Sequence, residues 1–312
     1  MAHFDAADLL DARVRQAAFA FLDVQRDLHG DVLPWSVLQT GFDLDGRRVP
    51  LSSMQGIFKP EVLARAPLSI RTAPPKPGTE PPYDDQIGAD GLIRYRYQGS
   101  DPNSRDNVWL RHAFERGLPL VYLHGVEPGW YVAAYPVRIV YDDPRALAVT
   151  VAVDEMEATD LGRALSLGDA VAEPVRRYTT RMAVSRLHQS AFRHRVLAAY
   201  GQRCAVCRLR HRRLLDAAHI IGDREHGGDP VVSNGLSLCK LHHAAYDADV
   251  MGIRPDLIVE IRQDVLREVD GPMLRHGLQE VDGWKLVAPA SRAKRPDPAR
   301  LDVRYKRFRS AG

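Results

Sequence analysis

The stretch from Cys204 to Asp249, CAVCRLRHRRLLDAAHIIGDREHGGDPVVSNGLSLCKLHHAAYDAD, constrains this chain more than any other, because it concentrates the residue types that hold metals and move protons. All three cysteines of the chain lie in it. Cys204 and Cys207 form a C-x-x-C knuckle, and Cys239 with His242 forms a C-x-x-H pair thirty-two residues further on. Two such pairs are a complete ligand set for one tetrahedral zinc ion of structural type. Free buried cysteines with chance neighbours would not reproduce this spacing. A zinc ribbon that does no chemistry is the stronger rival, since zinc folds many small modules of that kind.

A second constellation is threaded between those ligands. His219 sits in the apolar run DAAHII, which reads as a short strand; Asn234 follows a loop with two glycines and a proline; His243 directly follows His242. The phrases AHI, GG, NGLSLC and HHAAYD, in that order and spacing, resemble the HNH endonuclease family. The resemblance implies a two-stranded hairpin followed by a helix, the ββα-metal fold, and the hydrolysis of phosphodiester bonds.

That chemistry needs a deprotonated water in line with the leaving oxygen and a cation to neutralise charge on the phosphate. An imidazole titrating near neutrality suits the first task, so His219 is the candidate general base. The resemblance makes His243 a ligand of a catalytic divalent ion, Mg2+ or another. Its partner would be Asp216, the acidic residue available shortly before the base. Asn234 would brace the loop that presents His219. His211 and His226 stand at no motif position and read as surface residues.

The net charge of +3 conceals a polarity along the chain. Acids are frequent from Glu127 to Glu173, but Arg176 to Arg213 contains eleven arginines and no acidic residue. The tail from Arg292 to Arg309 carries eight basic residues against Asp297 and Asp302. Such blocks can be solvated faces; beside a nuclease motif they read as contacts to the phosphate backbone of double-stranded DNA, with Arg208, Arg210, Arg212 and Arg213 the candidates.

A chain of 312 residues, 45% hydrophobic and 27% charged, has the composition of a soluble globular protein with room for two domains. No apolar run reaches the length of a membrane span, and MAHFDAADLL lacks the order of a secretion signal, so a cytoplasmic protein without a membrane partner is expected. Three cysteines, all assigned to zinc, fit a reducing compartment.

Residues 5–28 carry apolar positions at helical spacing and predict an amphipathic helix ended by Gly30 and Pro34. LPWSVLQTGFDLDGRRVPLSS, with its Asp-Gly turn, predicts a hairpin; MQGIFKPEVLARAPLSIRT predicts a turn, a short helix and a strand. The Pro- and Gly-rich residues 74–91 read as a long surface loop, because strand character resumes in LIRYRYQG. RDNVWLRHAFERG predicts a helix ended by Gly117, followed by three or more strands with turns at Glu127–Gly129 and Asp142–Arg145. Residues 1–155 are thus a mixed unit of about six strands. With DGLIRYRYQG and GWYVAAYPVRIV in it, this order resembles the SRA-like and EVE-like domains of the PUA superfamily. The resemblance implies a curved-sheet barrel that reads nucleic acid, in several members by flipping a modified base into a pocket. Aromatic stacking faces for such a pocket are sought in Tyr83, Tyr95, Tyr97 and Trp109, with Trp35, Trp130 and Tyr131 also available and Asp84, Asp85, Asp101 and Asn103 as partners for a base edge.

Residues 156–185 read as a linker, SRLHQSAFRHRVLAAY as a helix leading into the motif, and MGIRPDLIVEIRQDVLRE as a strand with a turn or short helix. The tail KRPDPARLDVRYKRFRSAG reads as extended. The expectation is an α+β protein: a PUA-like reader at 1–155 and a zinc-stabilised ββα-metal HNH domain at 186–312, together a DNA endonuclease of restriction type acting on modified DNA. The competing readings are a noncatalytic zinc-containing DNA-binding protein, a sequence-specific HNH nuclease reading unmodified DNA, and an RNA-directed protein. Cutting both strands of a duplex calls for two sites, which makes a homodimer an expectation.

Overall fold

The computed structural model describes residues 6–74, 92–153, 169–223 and 225–311, without the side chains of 169–176. Two compact units are present, residues 1–190 and 191–312. The class is α+β. No helix among the described residues is long and apolar enough to cross a membrane.

The first unit opens with helix α1, Ala6–His29, which Gly30 ends with φ 80°. Its i, i+4, i+8 positions Val14, Ala18 and Leu22 are fully buried, the stripe that a period of 3.6 residues makes. They pack in one cluster with Leu33, Leu38, Val121, Leu123, Tyr131 and Ala133. Arg15 lies on the same helix and is 2% exposed. Its guanidinium is satisfied by the Asp11 carboxylate and by the carbonyls of Pro67 and Pro119 at 2.9 and 2.7 Å. A buried cation persists only when paired in this way.

The sheet of this unit has seven strands. Its path is β4 (Ile57–Phe58), β5 (Ser69–Arg71), β7 (Leu120–Glu127), β8 (Trp130–Asp143), β9 (Ala148–Val153) and β6 (Ile93–Arg96), with β1 (Val32–Pro34) also paired to β8. It is strongly curled into a half-barrel. Register shifts in β7–β8 at Leu120/Tyr122 and Gly125/Glu127, and in β8–β9 at Ile139/Tyr141, supply the local bends, since each unpaired residue increases twist. The Asp45-Gly46 turn joins β2 (Phe42–Leu44) to β3 (Arg47–Val49) as a separate hairpin. The short helix expected in MQGIFKPEVLARAPLSIRT is absent; a turn stands at residues 61–62. Short helices α2, Trp35–Thr40, and α3, Arg105–Glu115, complete the described elements before residue 154.

Helix α4, Asp169–Ala199, begins in the first unit and ends in the second. Residues 169–185, expected within a linker, are therefore helical. Its later apolar positions Phe192, Val196 and Leu197, with Tyr200 just past its end, enter the core of the second unit. There β10 (Leu215–His219) pairs antiparallel with β11 (Gly235–Cys239), from Leu215 opposite Cys239 to His219 opposite Gly235. Helix α5, Lys240–Asp247, follows without a loop. The hairpin β12 (Met251–Ile253) and β13 (Val259–Ile261) comes next, then short helices α6 (Gln263–Arg267) and α7 (Pro272–Gly277).

The tail departs from expectation. It is helix α8, Pro298–Ser310, rather than an extended segment. Asp297 caps it, its side chain accepting from the amides of Ala299 and Arg300, and Pro298 at the first helical position is preorganised for a helix start. Leu301, Arg304 and Phe308 form its buried face. Arg304 bonds the Asp249 carboxylate and the Tyr246 carbonyl and lies over the Tyr246 ring at 4.6 Å. Much of the tail's charge is thus spent inside the unit: Arg300 on Asp229, Arg309 on Glu260 and Arg307 on Asp249.

Helix α4 approaches β11 at Gly235. A Cβ there would stand 2.4 Å from Val196 Cγ2 and 2.9 Å from Phe192 Cζ. Gly235→Ala is expected to cost about 1–3 kcal/mol through overpacking, read as a lower midpoint in urea; an unchanged midpoint would show that this approach is not tight in solution.

Candidate active site and metal centre

Three chain segments bring the knuckle and the C-x-x-H pair together. Cys204 and Cys207 precede β10, Cys239 ends β11, and His242 lies in the first turn of α5. Their four ligand atoms fall within 4.8 Å of one another. Cys239 Sγ lies 3.1 Å and Cys204 Sγ 3.5 Å from His242 Nδ1, and Cys207 Sγ 3.9 Å from Cys239 Sγ. These are close to the edges of a tetrahedron about a zinc ion, about 3.5–3.8 Å for thiolate and imidazole ligands. His242 Nε2 faces the Gly277 carbonyl at 2.9 Å; donation there leaves Nδ1 as the ligating nitrogen, the outer support that metal-bound histidines use.

Burial and mutual hydrogen bonds set the ionisation of the cluster, and they push the Cys204 and Cys239 thiols in opposite directions. Hydrogen bonds from Cys207 and Cys239 hold the Cys204 thiol far below its ordinary value, against burial. Burial opposes charge on His242, yet the hydrogen bonds and charge of Cys204 and Cys207 outweigh it and raise the imidazole to about 9. A bound zinc ion would supply the positive charge that this donor set, buried in three of its four members, calls for.

The other constellation lies along the same hairpin. His219, at the far end of β10 from Leu215, stacks on Phe192 with ring centroids 4.0 Å apart and planes within 15°. Its Nε2 is buried without a hydrogen-bond partner. Burial is the largest influence on its ionisation and His243 adds to it; Asp223 and Asp247 oppose, and the net shift is below the ordinary 6.5. Asn234 is fully buried. Its Oδ1 accepts from the Ile221 amide at 2.9 Å, and its Nδ2 donates to the carbonyls of Ile221 and Asp229 at 3.0 and 3.1 Å. The Asn234 carbonyl accepts from the Ile220 amide at 2.9 Å. The loop after His219 is thereby closed onto the start of β11.

His243 lies between two carboxylates. Its Nδ1 is 3.4 Å from Asp216 Oδ2 and its Nε2 3.2 Å from Asp247 Oδ2. Asp216 also meets Lys240 Nζ at 2.5 Å and Arg193 Nε at 3.6 Å. Burial would raise the Asp216 carboxyl, but Lys240 and His243 overcome this and hold it below the usual range. An octahedral Mg2+ places neighbouring donors about 3 Å apart. Asp216 Oδ2 and His243 Nδ1, at 3.4 Å, are a donor pair that fits such an ion.

Phe192, Arg193, Lys240 and Asp247 carried no signal that singled them out by type. Lys240 and Asp247 were legible in one respect: counted along α5, they stand three residues before and four after His243, on its face of the helix. Around the knuckle, Arg208, Arg210, Arg212 and Arg213 are all exposed. Arg210, foremost, and Arg208 press the ionisation of Arg203 downward, the mark of crowded positive charge. Other members of the basic block are committed to the fold, for Arg193 donates to the carbonyls of Leu215 and Arg212 at 2.6 and 3.2 Å.

Of the aromatic residues considered for a pocket in the first unit, Tyr95 and Tyr97 are buried, 7% and 6% exposed, and their hydroxyls reach the Arg71 carbonyl and the Asp142 carboxylate. The alternation of β6 turns Tyr95 inward while Arg94 and Arg96 are exposed, and Tyr97, just past the strand, is buried as well. Trp109 is half-buried, with Lys59 Nζ and the Arg105 guanidinium 5.0 and 4.9 Å from its ring. Tyr83, Asp84 and Asp85 lie outside the described residues. Asp101 serves a turn, accepting from the Asn103 amide at 2.9 Å. The Arg71 guanidinium lies over both Trp35 and Tyr131, at 4.9 and 5.6 Å.

A short antiparallel hairpin running into a helix, with a Cys3His cluster at one end and a histidine, a carboxylate and a second histidine along it, defines a ββα-metal site. Residues 204–254 match the family model of HNH endonucleases, and the C-terminal unit carries an HNH endonuclease domain. Comparison with curated proteins returns no match. Among solved structures, a chain described as a modification dependent TagI restriction endonuclease is similar at 16% identity and a TM-score of 0.29, over 78% of this chain and 82% of that one. Nothing about this chain's substrate follows from a likeness at that level.

Asn234→Ala removes the partners of the Ile221 amide and carbonyl. The expected cost is about 1–3 kcal/mol for each buried group left unpaired, with faster hydrogen exchange in residues 221–233; unaltered exchange there would exclude the bracing role. Cys204→Ala or Cys239→Ser is expected to abolish stoichiometric zinc, read by native mass spectrometry, and to lower the melting temperature of the protein.

Proposed function

We propose that this protein is a metal-dependent DNA endonuclease whose C-terminal domain hydrolyses phosphodiester bonds and whose N-terminal half-barrel gates cutting by reading a modified base. The observation that carries the nuclease reading is the gathering of His219, Asp216 and His243 on one hairpin and helix, outside the Cys3His cluster, in a region matching the HNH endonuclease model. A zinc ribbon without chemistry has no use for them.

In this reading Cys204, Cys207, Cys239 and His242 hold a structural zinc, and Asp216 with His243 holds a divalent ion such as Mg2+. The ion, when bound, neutralises charge on the phosphate and the leaving oxygen. His219 takes the proton from the attacking water, and its lowered ionisation keeps it neutral and able to do so at neutral pH. Phe192 fixes the plane of the ring. Asn234 sets the loop that follows. The exposed arginines at 208, 210, 212 and 213 contact the DNA backbone.

Gating by a modified base is supported by the curled half-barrel and by the order of elements that resembles the PUA superfamily. A nuclease active on any duplex would cut the chromosome of its own cell. Flipping a nucleotide costs a few kcal/mol of stacking, and a methyl or hydroxymethyl filling an apolar recess returns about 1–3 kcal/mol, enough for a preference of tenfold to a hundredfold.

His219→Ala is expected to remove cleavage of duplex DNA while folding and zinc content stay intact; full cutting by the variant would end its assignment as the base. In wild type, the acid limb of kcat/KM is expected to fall below pH 6.5, because the base must be unprotonated and its ionisation is lowered. With His219→Ala as a binding-competent, inactive protein, duplexes carrying 5-methylcytosine or 5-hydroxymethylcytosine are expected to bind more tightly than the unmodified duplex; equal binding to all three, and to N6-methyladenine, would leave an ordinary sequence-reading nuclease. Paired Arg208→Ala and Arg212→Ala changes are expected to weaken binding to all sequences alike and to flatten its salt dependence; a loss confined to one sequence would mean base reading.

A further inference from the structure

Asp216 is a crowded carboxylate. Lys240 Nζ lies 2.5 Å and His243 Nδ1 3.4 Å from the same oxygen, Oδ2, while Arg193 Nε lies 3.6 Å from Oδ1. The two cations are held in different ways. Arg193 is pinned to backbone carbonyls of Leu215 and Arg212 whatever Asp216 does. Lys240 stands at the start of α5 on a flexible four-carbon stem, with a side chain 59% exposed. An ammonium is a compact point charge that donates to the lone pairs a hard divalent ion would use. Both cannot hold Oδ2 in the same geometry.

We propose that Lys240 is a built-in stand-in for the divalent ion: its ammonium holds Asp216 Oδ2 in the ion-free protein and is displaced when the ion binds there. The inference rests on the reading that Asp216 and His243 hold the ion. It gives Lys240 a positioning role, keeping the carboxylate ionised and aimed beside His243 until the ion arrives. It also implies that Lys240 lowers the apparent affinity for the ion, since binding must first break this pair. By linkage, the ion loosens the lysine as much as the lysine opposes the ion.

The test uses the full-length, zinc-loaded protein without DNA and Mn2+ as the probe. Removing a competing ion pair of this exposure is expected to make Lys240→Met bind Mn2+ about three- to tenfold more tightly than wild type in calorimetry. Loss of a positive charge alone would also favour a cation, so a second readout follows the lysine itself. Limited acetylation of wild type, mapped by mass spectrometry, is expected to modify Lys240 faster at saturating Mn2+ than without it, with exposed Lys294 unchanged as the internal reference. Unchanged or weaker Mn2+ binding by Lys240→Met, or equal Lys240 reactivity with and without bound Mn2+, overturns the proposal. Asp216→Asn separates the two levels: Mn2+ affinity equal to wild type removes Asp216 as a ligand and both readings fall, whereas a loss there with no gain in Lys240→Met removes the stand-in alone.

Discussion

The convergence of Cys204, Cys207, Cys239 and His242 is the constraint on which the second unit depends. It ties the chain before β10, the end of β11 and the first turn of α5 to one point, and so fixes which residues of the hairpin face each other. With Leu215 opposite Cys239, His219 must lie opposite Gly235. Four residues at about 3.3 Å each place that end of the strand roughly 13 Å further along. A slip of one residue would turn His219 to the other face and separate it from Phe192. The Cys3His cluster lies at one end of that register, and the position of His219 against Phe192 depends on it at the other.

Much of this was legible because the signals were local. The C-x-x-C and C-x-x-H spacings, the DAAHII strand, the Asp45-Gly46 turn and the periodicity of α1 each express short-range geometry. The tail shows what was not: Leu301 and Phe308 are too few to mark a helix, and the residue completing the face is Arg304, which reads as surface until Asp249, the Tyr246 carbonyl and the Tyr246 ring are seen around it. Arg15 hid in the same way. Its partners at Pro67 and Pro119 are remote in sequence, and no pattern within a helix reveals a distant carbonyl. For Tyr95 and Tyr97 the alternation placed both on one face, but which face was buried depended on pairing with β9 and on the curl of the sheet.

The distribution of arginine also changes meaning once partners are known. As a block, residues 176–213 look like a single basic surface. Arg193 is a structural strut, whereas the run 208–213 stays exposed and crowds Arg203. Crowded guanidinium groups repel one another until an anion lies between them, and a phosphate backbone supplies anions at regular intervals. Charge that the fold leaves uncompensated marks a contact surface better than charge counted along the sequence.

Strand β10 holds two ionisable groups three residues apart, and the structure drives both toward their deprotonated forms by opposite means. Asp216 is partly buried, which alone would favour its acid; Lys240 and His243 reverse this and keep it a carboxylate. The His219 Nε2 is buried with no hydrogen-bond partner that would stabilise its charged form. The ring lies flat on Phe192, and loss of solvent, aided by His243, favours its neutral form over the pull of Asp223 and Asp247. A carboxylate able to take a cation and an imidazole able to take a proton are what metal-assisted attack by water requires. Environments that set neighbouring groups to complementary tasks are what acid–base chemistry uses, and in the proposed reading one five-residue strand, paired in register with β11, would provide both.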